Sequence, residues 1–207
     1  MCQACLNSGF HQSSDSTNPL MADAWAAFVP TQIDDGVVHV SFRKEEPKIV
    51  KKYIRQLIKD TDAVTGIKVT RGSEALADVN LYGVDKWVGD LAPYNNTAAG
   101  LAFWDAAEGN ADGSWRNAYI RTEDYTFVNK RGKEKTRQRL SNYSKRLITH
   151  EFFHTMGLSH PEDDGYAAGY DGSTTTMSYN GRELWDGMTD LDITALQQIW
   201  GAPSNTL

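Results

Sequence analysis

The sequence predicts an α+β domain, and three observations predict it. An alternating run at residues 36–42, with Val38, Val40 and Phe42 set against His39 and Ser41, has the period of a half-buried strand. Residues 47–60 place Val50, Ile54, Leu57 and Ile58 on one helical stripe. Short β-rich runs follow at 66–70 and 78–82. Strand, helix, strand, strand suits a mixed sheet with a helix on one face.

At 207 residues and 40% hydrophobic content the chain has material for one well-filled domain. Residues 1–19 are polar, rich in Ser and Asn, and read as a tail ahead of a domain at 20–207. Leu20, Ala24, Ala27 and Phe28 have helical spacing, and Pro30 stops that helix. Pro47 suits the first turn of the helix at 47–60, and Glu45 and Glu46 just ahead of it complement the helix dipole.

Residues 83–114 are loop-rich, except that Leu101, Ala102, Phe103 and Trp104 form an apolar patch expected to be a short edge strand. Residues 117–122 read as another strand, and the charged stretch 129–139 as a solvated lead into a helix at about 138–156. Leu140, Tyr143, Leu147, Ile148 and Phe152 make that helix apolar on most sides, as a central buried helix is. After an irregular Gly, Asp, Ser and Thr segment to residue 176, Thr189 and Asp192 form a capping box. Ile193, Leu196, Ile199 and Trp200 continue that last helix, and Gly201 with Pro203 closes it.

A net charge of −6 and a pI near 5.3 argue against nucleic acid as a partner. No apolar run has the length of a signal peptide or a membrane span. Cys2 and Cys5 form a single CxxC at the extreme N-terminus, where only a local disulfide could close and a zinc ribbon would lack its second pair.

The chemistry concentrates in residues 150–160, which read HExxHxxGxxH. His150 and His154, four apart, project from one helical face, and Glu151 lies within reach of a water held between them. Gly157 can take positive φ and turn the chain, so that His160 returns as a third ligand and a fourth zinc position stays open for water. The five fixed positions recur by chance on the order of once in ten thousand such chains. Burying these imidazoles and the carboxylate without a metal would leave costly unpaired polar groups. The spacing therefore predicts one catalytic Zn2+, with Glu151 as general base. Asp163, Asp164 and Asp171 are candidate calcium ligands without EF-hand spacing.

The run THEFFHTMGLSHP at 149–161, the TMSY at 176–179 and the closing residues 191–201 resemble the metzincin zinc proteases, and among them the serralysin family. The resemblance covers about residues 30–203, firmly at the motif and TMSY and loosely before residue 138. It implies a mixed five-stranded sheet with two main helices over a cleft, an upper lobe at about 20–157 and a small lower lobe at 158–207 ending in a helix. It also implies that Met177 forms an apolar floor under the zinc, and that Tyr179 offers a phenolic oxygen to the metal or to the transition state.

On that analogy the chain is expected to be a monomeric endopeptidase acting on protein or peptide substrates, open to a proteinaceous inhibitor. Residues 101–104 would pair with an extended substrate, and Cys2 or Cys5 would occupy the zinc in a latent form. An extracellular enzyme, or one delivered to a host, is expected. The glycine- and aspartate-rich calcium repeats that usually follow in serralysins are not found, so the export route is not visible. A zinc-binding recognition module and a toxin protease with one host substrate are the rival readings; Glu151 speaks against the first, since a structural site needs no general base.

Overall fold

The computed structural model describes residues 18–21, 23–105, 110–181 and 187–204. Five strands form a mixed sheet in the order β2-β1-β3-β5-β4: β1 (Val37–Phe42), β2 (Lys68–Arg71), β3 (Val79–Val84), β4 (Gly100–Asp105) and β5 (Asn110–Arg116). The first four in that order run parallel, and β4 closes one edge antiparallel to β5. The α+β class and the mixed five-stranded sheet are those expected.

The register puts Val38, Val40, Phe42, Val79, Leu81, Ala111 and Trp115 on one face of the sheet, and all are buried. Helix α2 (Lys48–Val64) lays Val50, Ile54, Leu57 and Ile58 into that core, one turn longer than its apolar stripe suggests. Helix α3 (Asn142–Thr155) packs against β4 and β5. Ser141 caps it by accepting from the Ser144 amide at 3.1 Å. Every residue from Ile148 to Thr155 is buried, so α3 is the central helix expected of its composition. A short α1 (Asp23–Phe28) precedes the sheet and α4 (Asp190–Trp200) follows it, opened by the Thr189–Asp192 capping box.

Small residues let α3 approach the sheet. A Cβ on Gly113 would lie 3.3 Å from the Glu151 carbonyl oxygen, and one on Gly100 would run into the Glu151 carboxylate. A side chain at Gly113 would press on the backbone of α3, and one at Gly100 would displace the Glu151 side chain.

Four expectations change. Residues 117–122 are not a strand: Asn117–Tyr119 is a 3-10 turn, and the strands on either side are β5 and β6 (Thr122–Val128). The charged stretch before the motif helix is not a lead-in but strand β7 (Glu134–Leu140), paired with β6 as a separate antiparallel hairpin, and α3 begins only at Asn142. Glu46 does not serve the α2 dipole; it is buried and accepts from the Gly83 amide at 2.6 Å, clipping the start of α2 to the end of β3. The expected helix at 20–28 is shorter, and Asn18–Leu20 instead ties back to later chain, as described below. Cys2 and Cys5 lie outside the described residues. Among the described residues no helix is long and apolar enough to cross a membrane.

Candidate metal centre

Helix α3 ends in a way that sets two of the three histidines. The Leu158 amide donates to the Phe153 carbonyl (3.0 Å) and the Gly157 amide to the His154 carbonyl (3.1 Å), with Gly157 at φ +101°: a Schellman turn. The carbonyl of Leu158 then faces His154 Nδ1 at 2.8 Å, so the turn that stops the helix also orients a ring on it. His160 follows on a loop held at both sides by the start of the chain. The Ser159 amide donates to the Leu20 carbonyl at 2.7 Å and the Glu162 amide to the Pro19 carbonyl at 2.9 Å.

All three imidazoles are buried and converge. The Nε2 atoms of His150 and His154 are 3.1 Å apart, and each lies 3.2 Å from His160 Nε2. His150 Nδ1 faces the Thr176 carbonyl at 3.0 Å. A carbonyl only accepts, so His150 and His154 each carry their proton on Nδ1 and turn a bare Nε2 lone pair inward. A proton on His160 Nε2 would serve only one of those lone pairs. A cation serves all three at once, and a tetrahedral site with nitrogens at about 2.0 Å needs edges of about 3.3 Å, close to those found. The trio can hold a metal ion, and among the described residues no other group of three His, Cys, Asp or Glu side chains is gathered closely enough to share one.

The candidate calcium ligands Asp163, Asp164 and Asp171 are not among the described residues gathered closely enough to share an ion. The Asp171 carboxylate closes its own turn, accepting from the Ser173 hydroxyl (2.6 Å) and the amides of Ser173 (2.8 Å) and Thr174 (3.2 Å). Those bonds, the Ser173 hydroxyl first, hold it below the usual carboxylate range.

Around the trio, Glu151 is buried, against Gly100 of β4. The Tyr179 ring lies 5.4 Å from the His150 ring, nearly parallel to it, and 4.7 Å from the His160 ring. Met177 is fully buried. A cleft opens over this group, walled by Thr97–Gly100, Tyr119, Tyr143, Arg146, Tyr166 and Tyr179. The wall on the β4 side is thus the segment leading into the strand. Leu101 and Ala102 are buried, while Phe103 and Trp104 are half-buried, with the Trp104 ring edge-on to Phe28 at 5.3 Å. The side chains of 101–104 do not line the cleft, although β4 is the edge strand of its sheet.

Two residues outside the motif hold the turn at 175–181. Asp192 is fully buried and accepts from the hydroxyls of Thr175 (2.5 Å) and Thr176 (2.9 Å) and from the amides of Thr176 (3.1 Å) and Thr189 (3.1 Å). Arg146, one turn before His150 on α3, is buried and donates to the carbonyls of Thr176 (3.4 Å), Gly181 (3.2 Å) and Ser178. Arg146 shares the i, i+4 face of His150, a signal present in the sequence. The capping box marked Asp192 as a helix start but not as a partner of Thr175 and Thr176.

No protein-family model matches the chain, and no curated protein matches it in sequence.

Proposed function

We propose that this chain is a zinc endopeptidase of the metzincin type with a serralysin-like site. The observation that carries the reading is that Glu151 and His150, a member of the histidine trio, line the same cleft, which is bordered by the lead-in to an edge strand. A site built only to hold a metal would need no buried carboxylate beside its open side. A zinc ion on His150, His154 and His160 would supply Lewis acidity, making water a better acid and a peptide carbonyl a better electrophile.

Glu151 then does the proton work: its carboxylate takes a proton from the attacking water and returns it to the departing amine. Its burial against Gly100 keeps it from swinging into solvent between the two transfers. Tyr179, stacked beside the His150 ring, would donate its phenolic hydrogen to the oxyanion that forms on the carbonyl. The outer edge of β4 offers main-chain donors and acceptors to an extended peptide. Met177 would supply an apolar floor under the rings.

The deciding assay compares wild type with Glu151→Ala on casein at equal zinc occupancy. Wild type should cleave, chelation should stop it and zinc should restore it, and the variant should lose about 10²–10⁴-fold in rate. Equal rates for the two proteins would refute the assignment of Glu151 and with it the mechanism.

A further inference from the structure

Among the described strands, β6 and β7 are the most exposed, and their hairpin differs from the rest of the chain in charge. Of its two strands only Leu140 is buried. Residues 121–140 hold seven Lys and Arg against three Asp and Glu, a net of +4, leaving −10 on the remainder of a chain whose total is −6.

The register sorts that charge by face. Tyr125 pairs with Arg137, Phe127 with Lys135 and Glu123 with Arg139, so these six share one face. The other face carries Asp124 and Glu134 and no cation. On the cationic face the Arg137 guanidinium lies over the Phe127 ring at 4.5 Å, and the Tyr125 and Phe127 rings are 5.9 Å apart. Arg139 lies over Tyr125 at 5.7 Å and pairs with Glu123 at 2.9 Å. Among the described residues, Lys135 and Arg137 have no carboxylate partner. A guanidinium laid on a ring is held flat with its N–H edge outward, the arrangement that grips a carboxylate by two bonds.

Both feet of the hairpin stand on the cleft. Tyr119, just before β6, and Tyr143, just after β7, are part of its wall, and the Arg121 guanidinium lies over the Tyr143 ring at 4.6 Å. The docking residues lie three to five residue pairs out from those feet, so a segment held on the hairpin is held on an arm that rises from the cleft wall.

We infer that the Tyr125, Phe127, Lys135 and Arg137 face of the hairpin is a docking surface for an acidic segment of a protein, which it holds beside the cleft; its role in presenting a substrate rests on the protease reading. Protein is favoured over nucleic acid on two grounds. The Phe127 ring, which would stack on a base, is already covered by Arg137, and the net −10 on the rest of the chain repels a polyanion long enough to extend past the hairpin.

The test uses the whole chain and two readouts. In fluorescence anisotropy, a labelled twelve-residue Glu/Asp-rich peptide should bind, weaken as NaCl rises from about 0.05 to about 0.3 M, and lose about tenfold in affinity to Lys135→Glu/Arg137→Glu. Arg137→Lys, which keeps the charge but loses the fork, should weaken binding less than the double charge reversal, and Lys135→Gln, which removes no ring contact, should weaken it about threefold, so that loss of charge is told apart from loss of the hairpin. Unchanged binding in both charge variants overturns the inference. So does tighter binding of a single-stranded twelve-nucleotide DNA or of phosphatidylserine vesicles than of the peptide.

In the second readout, a cleavable peptide bearing the acidic segment should show a KM lower by about tenfold than the same peptide with a Gly/Ser segment, with kcat unchanged, and Lys135→Glu/Arg137→Glu should erase the difference. A KM indifferent to the segment overturns the presenting role. If no peptide is cleaved at all, the protease reading fails while the anisotropy still decides the surface.

Discussion

Asp192 accepts from both the amide and the hydroxyl of Thr176, and the carbonyl of that same Thr176 faces Nδ1 of His150. The N-terminal cap of the last helix thereby sets the tautomer and tilt of a candidate metal ligand 42 positions earlier. Replacing Asp192 by Ala strands two buried hydroxyls and two amides. It should cost about 3–5 kcal/mol in denaturant unfolding, and weaken zinc binding by about 10–100-fold in a chelator competition. Asp192→Asn, which still accepts, should lose less of both. Unaltered zinc affinity in Asp192→Ala would show that His150 is held without the turn.

Arg146 secures the other side of the same turn. Its removal as Arg146→Met keeps the bulk and leaves the carbonyls of Thr176, Ser178 and Gly181 without that donor. A loss of about 3 kcal/mol in stability is expected. Tyr179 lies within the released segment, so proteolytic activity per bound zinc should fall as well, measured on protein with its metal content determined.

Gly100 has a different kind of importance, because a Cβ there meets the Glu151 carboxylate. Gly100→Ala should fold, cost about 1–3 kcal/mol, and displace Glu151 enough to lower the casein cleavage rate by about tenfold to a hundredfold. Its zinc stoichiometry should remain that of wild type. A fully active Gly100→Ala would mean that Glu151 does not work from the place it occupies here.

Glu46 supplies a pH signature. Burial raises its carboxyl above the ordinary 4.5, against the lowering effect of the Gly83 amide. Its folded pKa is the higher one, so the folded state holds the proton more tightly. That contribution is complete below 4.5 and is lost as pH climbs through the folded value. Glu46→Gln can still accept from Gly83. Its stability should therefore fall less than that of wild type between about pH 4 and 7 in thermal unfolding.

How much of this was legible depended on whether a residue's job was local. The HExxHxxGxxH spacing placed His150, His154 and His160 together because helical geometry and one Schellman turn do nearly all of that work. β1, α2 and α4 announced themselves by periodicity and capping. β5 did not: Asn-Ala-Asp-Gly-Ser-Trp-Arg has the composition of a loop, and it is a strand because β3 and β4 pair with it on either side, with Gly113 small where the Glu151 backbone of α3 comes close. The β6–β7 hairpin hid for the opposite reason, since strands exposed on both faces show no apolar alternation. Neither Asp192 nor Arg146 could be tied to Thr176, because that pairing exists only once distant segments have met.

The capping box also bears on the order in which a growing chain acquires its properties. A nascent polypeptide that has reached residue 180 already contains the three histidines and Glu151, yet the carboxylate that braces Thr175 and Thr176 has not been synthesised. Until Thr189–Trp200 has been added, a translation product carries all three histidines but lacks the carboxylate that braces the turn beside His150.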